Sequence, residues 1–155
     1  MKRLISTLFV IAAVANIAIA ADKPDFSGTW KMDPDKSVFG PVPPTTSMTL
    51  EIDHKDPAIS LHQTSTGPEG DRNVTAKYST DGKETVNDFM GTEIKSKTHW
   101  DGRTLVIDSS LDAGGAEVKL TGKWTLSDGG KTFTYALNIS SPQGDLDITY
   151  FFVKQ

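Results

Sequence analysis

Cysteine is absent from the 155 residues, and histidine occurs only three times. Without Cys there can be no disulfide framework, thiolate zinc site, Cys nucleophile or lipid-bearing N-terminal Cys. Basic residues are also in short supply: 16 Lys and Arg face 20 Asp and Glu, a formal charge of −4. That balance lacks the cations needed to neutralise a phosphate backbone, so nucleic acid is excluded as a partner. Aromatic residues make up only 8% of the chain, little for the girdles of a membrane barrel. Past the opening segment no stretch shows a helical period. The length fits one domain.

One long apolar run is present, and it stands at the start. Lys2 and Arg3 precede a run over 4–19 interrupted only by Ser6, Thr7 and Asn16, and Ala18-Ile19-Ala20 ends it with small residues. Charge, greasy core and small-residue cut predict a signal peptide over 1–20, with cleavage between Ala20 and Ala21. The run is short of the ~20 residues that a spanning helix needs. The mature domain is then 21–155, exported to the periplasm or the exterior. Losing Lys2 and Arg3 takes the basic count from 16 to 14 against 20 acidic residues, a net charge of −6. Those compartments are oxidising, so a chain without disulfides must draw its stability from its core. Asn73-Val74-Thr75 and Asn138-Ile139-Ser140 fit the glycosylation pattern, as chance matches if the source is bacterial.

A period of two runs through the mature chain. Met48, Leu50 and Ile52 interleave with polar residues, as do Val118, Leu120 and Trp124, with Gly122 in phase. Phe133, Tyr135, Leu137 and Ile139 repeat the pattern, and Leu146, Ile148, Tyr150 and Phe152 close it. Such alternation sends apolar side chains to one face of a half-buried strand. Asp81-Gly82, Asp101-Gly102 and Asp128-Gly129 fall between runs, where Asp-Gly is a strong hairpin signal. Strands are predicted near 26–32, 46–53, 58–64, 73–79, 84–89, 92–100, 103–111, 116–126, 131–139 and 145–153. The segment 33–44 holds four Pro and reads as a crossing loop with one short helical turn at 35–39.

The fold class is therefore all-β, an antiparallel up-and-down meander of 8–10 strands. Closing the meander into a single barrel hides both its apolar face and its edges. A two-sheet sandwich remains the alternative, because hairpin order alone does not separate the two.

Gly28-Thr29-Trp30 resembles the Gly-x-Trp first strand of calycins, the superfamily of lipocalins, fatty-acid-binding proteins and avidins. The run from Thr98 through Trp100-Asp101-Gly102-Arg103 to Val106 is similar to the Trp-Asp-Gly hairpin of fatty-acid-binding proteins. Ile148-Thr149-Tyr150 sits where their last strand ends. Asp25 to Trp30, with Asp35-Lys36-Ser37 and Phe39-Gly40-Pro41, also resembles a group of small exported bacterial proteins without assigned functions. The resemblance implies a calycin-like barrel whose closed end is plugged by Trp30. It departs from the pattern at three places. The 33–44 loop is too short for the helical pair of fatty-acid-binding proteins, and their carboxylate-gripping Arg is Ile148 here. The late lipocalin Thr-Asp-x-x-Tyr motif is missing, and Lys154 is the cation nearest the C-terminus.

Nothing in the sequence assembles a reaction centre. His54 falls in line with Ile52, whereas His62 and His99 fall on the opposite face from their apolar neighbours, so three ligands for a metal do not converge. No Ser sits in a strand-to-helix elbow. Asp145 and Asp147 read as a solvated strand face, and Asp22, Asp25, Asp33 and Asp35 lack the spacing of a calcium loop. No catalytic residue, metal or cofactor is implied. The inward face instead suggests a container for a small hydrophobic ligand. Its expected lining is Tyr78, Ile94, Ser96, Thr98, Trp100, Ile107, Leu120, Trp124, Tyr135 and Tyr150, in phase with apolar neighbours that include Val86. Ser96, Thr98, Ala76 and Gly122 would thin the interior, and the Tyr hydroxyls could orient a ligand. Two alternatives stand beside this reading: a filled barrel acting as a structural or interaction module, and an eight-strand outer-membrane barrel. Several runs are shorter than the ~9–11 residues that a membrane strand needs, which argues against insertion.

Overall fold

A computed structural model describes residues 22–155; the predicted signal peptide and its cut between Ala20 and Ala21 lie outside the described residues. Ten strands follow one another: β1 (Gly28–Met32), β2 (Ser47–Lys55), β3 (Ala58–Gly67), β4 (Gly70–Ser79), β5 (Glu84–Phe89), β6 (Thr92–Asp101), β7 (Thr104–Asp112), β8 (Glu117–Ser127), β9 (Thr132–Ser141) and β10 (Gly144–Lys154). All belong to one antiparallel sheet in the order β4-β3-β2-β1-β10-β9-β8-β7-β6-β5. Only the β1–β10 pairing joins strands distant in sequence, setting Trp30 opposite Lys154 and Met32 opposite Phe152. The sheet curls until its outer strands, β4 and β5, stand side by side. The fold is a single, nearly closed calycin-like barrel, and the sandwich alternative falls away.

No ladder joins β4 to β5. The seam is bridged by one side chain. Asn87 on β5 accepts from the Lys77 backbone N–H at 2.7 Å and donates through Nδ2 to the Lys77 carbonyl at 3.0 Å. A side-chain amide thus supplies the donor–acceptor pair that a neighbouring backbone would have offered.

One end of the barrel is packed solid with rings. Phe26, Trp30, Phe133 and Phe152 are fully buried and Trp124 nearly so. Phe133 sits 5.2–5.4 Å from Trp124, Phe26, Trp30 and Phe152, mostly edge to face or tilted, the spacing that aromatic quadrupoles favour. Trp30 Nε1 donates to the Phe26 carbonyl at 2.8 Å, and the Lys154 ammonium lies 5.2 Å from the Trp30 ring. Phe26 is not in β1, which begins two residues later than the alternation predicts. Its segment instead folds under the barrel, where its N–H donates to His54 Nδ1 at 3.2 Å. His54 is buried as its phase with Ile52 predicts, while His99 is exposed on the outer face.

The opposite end is shaped by the shortness of β1. Above Met32, β10 loses its β1 partner, and the loop over 33–46 takes that place. Asp33 N–H donates to the Phe151 carbonyl at 2.8 Å, Val38 and Thr149 exchange hydrogen bonds of 2.7 and 2.8 Å, and Phe151 N–H donates to Ser37 Oγ at 3.0 Å. The helical turn expected at 35–39 is absent. A plain turn occupies 34–36, and the chain then extends to form its bridge at Val38. The unpaired edge of β10 outweighs the weak helical preference of a Pro-flanked segment.

The phase of β5 is the reverse of the one expected. Thr85, Asn87 and Phe89 are partly buried, while Glu84, Val86 and Asp88 are exposed, Val86 to 56%. Because Asn87 must reach across the seam, Val86 is turned outward.

Candidate functional site

Between the ring-packed end and the 33–46 loop the barrel encloses a cavity of about 360 Å³. That volume falls within the range of small-molecule sites, so the interior is not filled by side chains alone. Its walls are Met48, Leu61, Val74, Ala76, Ile107, Leu120, Leu137, Ile139 and other apolar groups, with Gln63, Ser65, Ser109 and three Tyr hydroxyls among them. Seven of the ten residues expected to line it do so: Tyr78, Ile94, Ile107, Leu120, Trp124, Tyr135 and Tyr150.

Ser96, Thr98 and Trp100 lie outside the cavity. They share the inward face of β6 with Ile94 but stand further toward the ring-packed end. Ser96 Oγ is bonded to Ser109 Oγ at 2.8 Å within the wall, and Thr98 is 1% exposed opposite Ile107. Trp100 stacks on Phe26 at 6.2 Å and donates through Nε1 to Asp56 at 3.2 Å, at the edge of the closed end. Alternation reports which face a residue occupies, not how deep along the barrel it sits.

Gly122 also has a different role from the one expected. A Cβ there would meet Tyr135 Cε2 at 2.9 Å. The glycine does not leave a void; it makes room for the Tyr135 ring to lie against β8. Tyr135 and Tyr150 are register partners on β9 and β10 with ring centroids 5.7 Å apart, and Trp124 lies 6.0 Å from Tyr135. Burial pushes the Tyr78 phenol up to about 12 and raises Tyr135 further. Burial also raises Tyr150, offset in part by the Thr45 hydroxyl and the Arg72 charge. All three hydroxyls are therefore protonated donors at neutral pH. Among the described residues the buried Trp124 indole N–H has no acceptor, and a donor left so costs about 1–3 kcal/mol.

Tyrosine burial has a pH signature. A phenol with a raised folded pKa stabilises the fold in full below its unfolded value of about 10, and that contribution drains away as pH rises towards the folded value. Stability measured by urea titration is expected to fall between pH 10 and about 12, the value to which Tyr78 is pushed. Tyr78→Phe should flatten the slope over that window; an unchanged slope would mean that the Tyr78 ring is solvated in the folded state.

The residue that sequence reasoning missed is Arg72. It is the one charged side chain among the cavity-lining residues described, half-buried and paired with Glu69 across the β3–β4 hairpin. Ser65 and Arg72 continue the inward faces of β3 and β4 beyond the strand ends predicted at 64 and 73, and Gln63 is the polar inward residue just before the first of those ends. Polar residues at inward positions interrupt the apolar alternation, so the signal stops where the cavity begins. The register of β3 against β4, which pairs Ser65 with Arg72 and Gln63 with Val74, places them. Arg72, Thr45, Ser65, Ile148 and Tyr150 also line a second recess of about 270 Å³ with Val42, Pro43 and Glu69. Shared walls make this recess the mouth of the cavity.

Among the described residues the cavity lining includes no His, Asp, Glu, Lys or Cys.

Solved structures with this architecture include proteins named for binding bile acid and lipid. A zebrafish ileal bile acid-binding protein complexed with cholic acid superposes with a TM-score of 0.58 at 18% identity, covering 84% of this chain and 98% of that one. Lipid binding protein 8 of Caenorhabditis elegans gives 0.54 at 17% identity over 84% and 95%. A secretory abundant heat soluble protein from Ramazzottius varieornatus gives 0.59 at 14% identity over 83% and 94%. At these identities the likeness is one of fold. No family model and no curated protein matches the sequence.

Proposed function

We propose that this protein is an exported, non-catalytic carrier or receptor for a small hydrophobic molecule held inside the barrel. The observation that carries the reading is the cavity of about 360 Å³ inside the barrel, partly open and with a mainly apolar wall. One further feature supports it: the similar folds include proteins named for binding bile acid and lipid. Export rests on the charged start, apolar run and Ala20 cut of the sequence. The outer positions of β6 and β8 carry Lys95, Lys97, Lys119 and Lys123, exposed residues that suit water and not lipid.

Native mass spectrometry of protein purified without detergent tests both halves together. The expected result is a chain beginning at Ala21, with an adduct of small-molecule mass that leaves on denaturation. N-phenyl-1-naphthylamine should then bind the emptied protein saturably, one per chain, with enhanced fluorescence. A chain retaining residues 1–20 would sink the export reading, and the absence of both adduct and saturable probe binding would sink the carrier.

A further inference from the structure

We infer that the guest is an amphiphile with one negative charge, seated with its apolar body in the cavity and its anionic head at Arg72 in the mouth. The inference rests on the carrier reading and goes beyond it by naming the charge and orientation of the ligand.

Four observations carry it. Arg72 is the sole charge among the described cavity-lining residues, so the wall offers an anion one partner and a cation none. Its position is the place where cavity and mouth meet, because it lines both spaces. Its side chain is 36% exposed, so the guanidinium is partly withdrawn from water yet reachable. Finally, its present partner is weakly committed: Glu69 belongs to the hairpin turn, and its side chain is 73% exposed. An ion pair with so exposed a member contributes little. A guest anion anchored by a buried tail meets the same fork of donors in a drier setting, where bidentate charge-assisted bonds are stronger. Thr45 and Tyr150 stand beside Arg72 in the mouth with hydroxyls of their own.

Position matters as much as charge. At the final-strand site where fatty-acid-binding proteins grip a carboxylate, this chain has Ile148, which lines the cavity as an apolar residue. The interior end of the cavity is thus left to apolar and phenolic groups, and the charge is moved to the entrance. Glu69 acts there as a competing anion that a neutral or cationic guest would not displace.

A matched pair of probes separates head from body. Anilinonaphthalene-8-sulfonate and N-phenyl-1-naphthylamine share one ring skeleton and differ by the sulfonate. Wild-type protein should bind the sulfonate the more tightly. Arg72→Gln should weaken the sulfonate about tenfold while leaving the neutral probe within about twofold. Glu69→Gln, which removes the competitor, should tighten the sulfonate about threefold and again spare the neutral probe. Circular dichroism of each variant checks that the barrel is intact. Equal losses of both probes in Arg72→Gln would make Arg72 a structural residue and overturn the inference, as would a sulfonate affinity indifferent to both substitutions. Failure of the neutral probe to bind wild type would instead bring down the carrier reading, and this inference with it.

Discussion

Replacing Trp30 by alanine is expected to cost about 3–5 kcal/mol, in the range measured for large aromatic truncations in cores. The indole is fully buried, packs 5.4 Å from Phe133 and donates to the Phe26 carbonyl at 2.8 Å. Alanine would leave a cavity beside Phe133 and strip that carbonyl of its donor. The Lys154 side chain would also lose the face it covers. Small domains hold a net stability of about 5–15 kcal/mol, so the variant should sit close to unfolding at room temperature. Urea titration followed by fluorescence of the remaining Trp residues measures it. Trp30→Phe should retain much of the ring packing and lose chiefly the hydrogen bond, about 1–2 kcal/mol. A loss below about 1 kcal/mol for the alanine variant would mean that the ring-packed end does not anchor the barrel.

The second large effect concerns the cavity. Ala76 is buried on β4, lines the cavity and lies opposite Leu61 in the register. Ala76→Phe should project a ring into the void and lower N-phenyl-1-naphthylamine affinity at least about tenfold, or about 1.4 kcal/mol. Overpacking in a close-packed core costs about 1–3 kcal/mol; here the ring enters empty space, and stability should fall by no more than the lower end of that range. Probe binding that survived in a folded Ala76→Phe protein would place the probe on the outside of the barrel.

Much of the architecture can be read from periodicity, and the places where it cannot are instructive. Alternation located β2 and β6 to β10 to within a few residues, and the Asp-Gly pairs marked three of the turns between strands. Closure followed from the need to hide the apolar face and the edges, but where the barrel would be left without a ladder was not legible: β1 pairs with β10, and the seam falls between β4 and β5. Phe26 read as the start of a strand because it continues the alternation, yet it serves as a plug. Val86 read as inward because it is apolar, while Asn87, its polar neighbour, holds the inward position and the seam. Within the site, the apolar and phenolic lining was visible because it obeys the alternation. Gln63, Ser65 and Arg72 were hidden because they break it. A polar side chain facing inward makes a strand look finished, and those are the positions at which an apolar receptacle acquires selectivity.

The Asn87 clasp sets where the wall yields. Separating any two hydrogen-bonded neighbours elsewhere in the barrel would rupture a ladder along most of their length, whereas parting β4 from β5 breaks the two bonds from one amide to Lys77. Each such bond nets about 0.5–1.5 kcal/mol, a sum that thermal agitation supplies often. The hydrogen bonding that must break is therefore least along a single longitudinal slit, beside Ala76 and Tyr78. Because the two raw strand edges face one another across that slit, neither is offered to a stray chain while the clasp holds.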